Sequence, residues 1–175
     1  MYIFVLQWPP GIKAAIQASR WGANAAIPFG TVFSCFMASC LLGSTTFGAL
    51  QNRGVSVETS TSTMLTVAAA AMALASYVGS GSLAALVASF FAFEACVGMY
   101  FPSIGTLRSK YIPDSHRSVI MNIFGIPLNL LVVSVFLSIK SLGVQGALAC
   151  ATAALGVASL CMNILAAGSS KNSKK

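Results

Sequence analysis

No Asp, Glu, Lys or Arg occurs from Thr59 to Phe93. As helix, an uncharged apolar run of that length exceeds one bilayer crossing, so the chain must turn inside it. Gly79-Ser80-Gly81-Ser82 supplies the turn residues and divides the run into two spans, Thr63 to Val78 and Leu83 to Phe101. Charged residues punctuate the rest of the chain and leave three more apolar stretches: Phe29 to Leu50, Ser118 to Ile139 and Val144 to Ala167. Of 175 residues 57% are hydrophobic and 7% charged, against about 25% charged in soluble domains. So few charges cannot solvate a globule in water, which excludes a soluble enzyme. The runs are continuous and rich in Ala, Leu and Ser, where barrel strands would alternate over about ten residues. The expected fold is an all-α membrane protein with five full spans. The five cysteines, Cys35, Cys40, Cys96, Cys150 and Cys161, have no CxxC spacing and read as small buried hydrophobes.

The start is different. Met1 to Trp8 is strongly apolar but only about 12 Å long as helix, and Pro9-Pro10 is expected to end it. It has neither the basic start nor the small-residue cleavage site of a signal peptide. Either it lies at the membrane interface, or it is the outer end of a span that begins before this chain. The chain then divides into residues 1–10, the end of a truncated helix; 11–28, an extracellular loop; 29–167, five spans; and 168–175, a cytoplasmic tail. Seven of the ten Lys and Arg fall on one side: Arg53, Arg108, Lys110, Arg117, Lys171, Lys174 and Lys175. Lys13, Arg20 and Lys140 fall on the other. The positive-inside rule puts the larger set in the cytoplasm.

Six helices with a cytoplasmic tail match half of a twelve-span secondary transporter. Gly48-Ala49-Leu50-Gln51-Asn52-Arg53-Gly54 resembles the G-x-L-x-D-R-x-G loop of the major facilitator superfamily, with Asn52 in place of the acid and one residue fewer before Gly54. Longer strings are similar to the molybdate-anion transporter family of that superfamily. They are Tyr2 to Pro10, Pro28-Phe29-Gly30 running into Phe33 to Ala38, Gly98 to Ser103, Leu107 to Pro113, and Val119 to Leu128 with Asn122, Phe124 and Pro127. The resemblance covers Met1 to about Leu131. It implies that the chain corresponds to the C-terminal half of such a protein, with Met1 inside the seventh helix. It also implies uptake of molybdate or another small anion across the plasma membrane once an N-terminal half is joined.

A desolvated oxyanion needs donors to replace its water. Every Lys and Arg falls in a loop or tail by this reading, so a neutralising cation is expected from the other half. Gln7, Trp8, Tyr100, Asn122 and Asn129 are polar side chains in or near spans that could line a cavity. Hydrogen bonding between helices is the competing role for each. Gly125 and Pro127 should break or bend the fourth span, while small residues at four-residue spacing, such as Gly146, Cys150 and Ala154, suit close helix packing. Glu94 stands twelfth in the span starting at Leu83, near mid-depth. It is expected to face the bundle interior, where it could relay a proton, pair with an Arg of the other half, or hydrogen-bond as a neutral acid to a helix such as the one carrying Asn122.

No nucleophile with a base, phosphate-cradling loop or metal-spaced cluster stands out, so neither an enzyme nor a cofactor is expected. His116, beside Asp114 and Arg117, has no second ligand nearby. The basic tail suits anionic membrane lipid rather than nucleic acid. Two functions compete: a transporter half, and a membrane scaffold or assembly subunit that moves no solute.

Overall fold

The computed structural model describes residues 1–18, 27–79 and 81–172, the side chains of 139–141 and 170–172 excepted. The readings made for Arg20, Ser80, and the side chains of Lys140, Lys171 and the residues after Asn172 lie outside these. The described residues form six helices: α1 (Tyr2–Ala18), α2 (Phe29–Asn52), α3 (Val57–Val78), α4 (Leu83–Tyr111), α5 (Arg117–Leu137) and α6 (Ile139–Asn172). Five are long and apolar enough to cross a membrane, α6 from Leu142 onward. The all-α membrane bundle read from the sequence is the fold observed.

Local chemistry sets the ends of the central helices. Ser56 caps α3, its side chain accepting from the Thr59 amide, and Ser82 caps α4 through the Ala85 amide. Gly79 closes α3 at φ 50°, where a Cβ would be strained and would also strike the Gln145 side chain. Other boundaries correct the sequence reading. α1 does not stop at Pro9-Pro10 but continues to Ala18, which makes part of the expected loop helical. Each proline removes one intrahelical bond, and packing offsets the loss: Gly11, Ile12 and Ala15 are buried, and Gly11 lies against Phe90 and Val144. α4 likewise runs through Pro102 for ten residues beyond Phe101. Leu107 is buried there, and Arg108 and Lys110 in the last turn favour the helix C-terminus. α5 passes unbroken through Gly125 and Pro127. α6 is interrupted at Gly143 (φ 63°, ψ −175°), just before the point where the sequence reading starts the fifth span.

Two helix pairs and a link between them make the bundle: α3 with α6, α2 with α4, and α3 with α4. α2 and α4 cross at backbone distance. A Cβ on Gly43 would stand 1.8 Å from the Ala95 carbonyl oxygen, and one on Gly98 would stand 1.8 Å from the Cys40 carbonyl oxygen. The crossing is reciprocal, and only glycine fits either position. α3 and α6 are antiparallel and joined by side-chain hydrogen bonds, Ser62 Oγ to Asn163 Oδ1 at 2.7 Å and Thr66 Oγ1 with Ser159 Oγ at 2.7 Å. Farther along, Ser76 Oγ donates to the Gln145 carbonyl at 3.0 Å. The register brings the C-terminal part of α6 to the same end as residues 53–56 and 112–116, where Arg53, Arg108, Lys110 and Arg117 also lie.

An aromatic cluster seats α1 on α2 and α4. Phe4 meets Phe93 at 4.8 Å and Phe90 at 5.1 Å, and Trp8 meets Phe36 edge-on at 5.3 Å. α5 is the outlier, touching α6 and α1 but burying none of its residues.

Candidate functional site

A cavity of about 390 Å³ lies among α1, α3, α4, α5 and α6. The first turn of α1 forms one wall, and Met64, Phe93, Leu131 and Ala154 line others. Tyr2 and Tyr100 are its hydroxyl-bearing residues. Of the polar side chains singled out from sequence as cavity candidates, Tyr100 alone lines this space.

The others are placed elsewhere. Trp8, 8% exposed, belongs to the aromatic core, its ring edge-on to Phe36 and 5.8 Å from Phe29. Gln7 is buried on the same inward face of α1 as Phe4 and Gly11, and its side chain makes no hydrogen bond with a described residue. Glu94 is buried in α4, one turn before Gly98 at the crossing with α2. Asn122 and Asn129 sit exposed on α5, two turns apart. α5 does not pack on α4 to any extent, so the hydrogen bond imagined between Glu94 and the helix of Asn122 is not formed. Gly48 and Asn52 end α2, Arg53 caps it, and Gly54 at φ 76° makes the turn, so the motif is a tight connection to α3. The cysteines also divide: Cys96 is buried, Cys40 and Cys150 are half-buried, and Cys35 and Cys161 are exposed.

Sequence reasoning missed two polar groupings. One is the Ser62, Thr66, Ser159 and Asn163 seam, whose members stand four apart on each helix, a spacing visible in the sequence but lost among many Ser and Thr. The other is a charged clasp at the basic end. Glu58, 1% exposed in the first turn of α3, accepts on Oε1 both from Lys110 Nζ at 2.5 Å and from the Tyr111 hydroxyl at 2.7 Å. Its two donors are more than fifty residues away in sequence, so only the folded chain reveals them.

Chemically, an apolar cavity without a cation cannot strip water from an oxyanion unaided. Among the described residues no Lys or Arg lines it, so this lining by itself offers an oxyanion no cationic side chain.

The first 99 residues match the family described as "Sugar transporters, 12 TM", a stretch that takes in α1, α2, α3 and the Gly43–Gly98 crossing. The chain is 26% identical over 136 residues to the molybdate-anion transporter of Takifugu rubripes, covering 75% of this chain and 26% of that protein. The protein of the same name from Xenopus tropicalis is 26% identical over 136 residues, 75% of this chain and 28% of its own length. That from Danio rerio is 25% identical over the same length, covering 75% and 26%. The chain thus spans about a quarter of the curated relatives it matches. No solved structure matches it.

Proposed function

The chain belongs to the major facilitator superfamily, in the family of sugar transporters with twelve membrane helices, and on that premise we propose that it is the C-terminal half of a secondary transporter for a small oxyanion. Molybdate is the substrate assigned, and uptake across the plasma membrane the direction. The observation that carries this reading is the 136-residue similarity to molybdate-anion transporters. The site geometry is compatible with it. A half-bundle whose cavity is apolar and whose α5 is uncovered has room for a second set of helices to bring a cation and close the site. Gln7, Asn122, Asn129 and Tyr100 are the neutral donors this half offers, and the basic end faces the cytoplasm.

Uptake of isotopically labelled molybdate tests the reading. Cells producing residues 1–175 joined to a matching N-terminal half should accumulate label above vector background, while residues 1–175 alone should not. Accumulation of a labelled hexose in place of molybdate would move the substrate to the class named in the family description. No uptake of either by the joined protein would favour a scaffold.

A further inference from the structure

The walls of the 390 Å³ cavity continue a contact that α1 already makes. α1 and α4 run antiparallel: Phe4 meets Phe93 and Phe90, and farther along α1 Ala14 shares another pocket with Leu86. The first turn of α1 therefore stands in the middle of the bundle, while α4 runs on from Phe93 to Tyr111, about 27 Å farther. The face of α4 that holds Phe4 runs on with it. Phe93, Val97 and Tyr100, at i, i+4 and i+7, all line the cavity.

The facing wall is small. α6 contributes Ala151, Ala154 and Ala158, and α3 contributes Ala68. In lipid, small side chains on one face let a neighbouring helix come close. The first turn of α1, Met1 to Phe4, forms the end wall. Its first backbone bond runs from the Val5 amide to the Met1 carbonyl at 3.0 Å, so the amides of Tyr2, Ile3 and Phe4 have no carbonyl one turn earlier to meet. Amides at a helix N-terminus point along the axis, away from the helix, and Ile3 and Phe4 are 8% and 1% exposed. An acyl chain accepts no hydrogen bond, and an unmet amide in lipid is costly. A preceding helical turn supplies the carbonyls.

We propose that this cavity is the seat of a membrane helix that continues the axis of α1 and runs directly into Met1, laying its apolar face on Val97, Tyr100 and Ala154. To come level with Tyr111 it needs about 15 residues. The occupant rests on the reading of this chain as a C-terminal half. The shared stretch makes up 26% and 28% of two of the curated relatives, so chain enough remains in proteins of that kind to supply such a helix.

Cysteine cross-linking in the joined protein reads the seat directly. With Cys35, Cys40, Cys96, Cys150 and Cys161 replaced, single cysteines at successive positions over the two turns before Met1 are paired with Tyr100→Cys and with Ala154→Cys, and the membranes are oxidised. Disulfides that recur every three or four positions, in sets offset between the two partners, are the expected result. No disulfide with either partner, or disulfides at every position alike, overturns the proposal. Volume gives a second readout with the native cysteines kept. Ala154→Leu and Ala158→Leu fill an open space in residues 1–175 alone, where they should leave the unfolding temperature unchanged or raise it. In the joined protein they overpack an occupied one and should lower it by several degrees. Equal shifts in the two proteins overturn the seat and leave the cavity to lipid or a small apolar molecule. Neither readout involves transport. A joined protein that cross-links but accumulates no labelled anion overturns the transporter reading and keeps the seat, whereas uptake without cross-links overturns the seat alone.

Discussion

Lys110 Nζ lies 2.5 Å from Glu58 Oε1, tying the last turn of α4 to the first turn of α3. The carboxylate is 1% exposed and the ammonium side chain 51% exposed, so the two partners are not equivalent. Loss of Lys110 leaves Glu58 with the Tyr111 hydroxyl. Loss of the carboxylate removes the acceptor for both donors and opens a gap at the start of α3. Glu58→Ala should therefore lower the unfolding temperature more than Lys110→Gln. Tyr111→Phe should cost about 1 kcal/mol, one hydrogen bond. Thermal unfolding of the purified variants in one detergent checks the order, and a larger effect from Lys110→Gln would contradict it.

Gly43 and Gly98 hold α2 and α4 at backbone contact, whereas Gly48 and Gly105 on the same helices have nothing within 4 Å of a would-be Cβ. Gly43→Ala and Gly98→Ala should each destabilise by about 1–3 kcal/mol or more, since the new methyl meets a carbonyl that cannot move alone. Gly48→Ala and Gly105→Ala should be neutral or stabilising by up to about 1 kcal/mol, because alanine restricts the unfolded chain. The folded fraction of each variant in membranes or detergent separates the two pairs.

α5 buries none of its residues, so Asn122→Leu and Asn129→Leu should change the stability of this chain by less than about 0.5 kcal/mol. In the joined transporter the same substitutions should reduce uptake if these amides face the substrate path. Unchanged uptake with both substitutions together would remove them from the site.

Residues 53–56 and 112–116 share one end of the bundle, and Ser82 lies at the other. With Arg53, Arg108, Lys110 and Arg117 at the first end, a membrane-impermeant thiol reagent added outside intact cells should label Ser82→Cys and spare Ser115→Cys. Replacing the exposed Cys35 and Cys161 beforehand keeps the background low. Labelling of Ser115→Cys with Ser82→Cys protected would invert the topology.

The lipid solvent, the helical class and the number of spans were legible in the sequence. A backbone in lipid must satisfy its hydrogen bonds within each segment, so an uncharged run such as Thr59 to Phe93 has helices as its outlet, divided where glycine and serine allow a turn. It also exposed the mid-helix position of Glu94, because an acid there is conspicuous among apolar neighbours. Tertiary structure decided what local rules misjudge. Pro9-Pro10 and Pro102 mark the ends of segments in the sequence reading, yet α1 and α4 continue past them, since one lost backbone bond is outweighed where packing holds the following turn. Which polar groups meet was equally hidden: Trp8 went to the aromatic core, Asn122 and Asn129 to an uncovered face, and Glu58 to donors on α4. Helix periodicity fixes the face on which a side chain stands, but the helix opposite that face depends on the packing of all six, and pairing over fifty residues leaves no local signal.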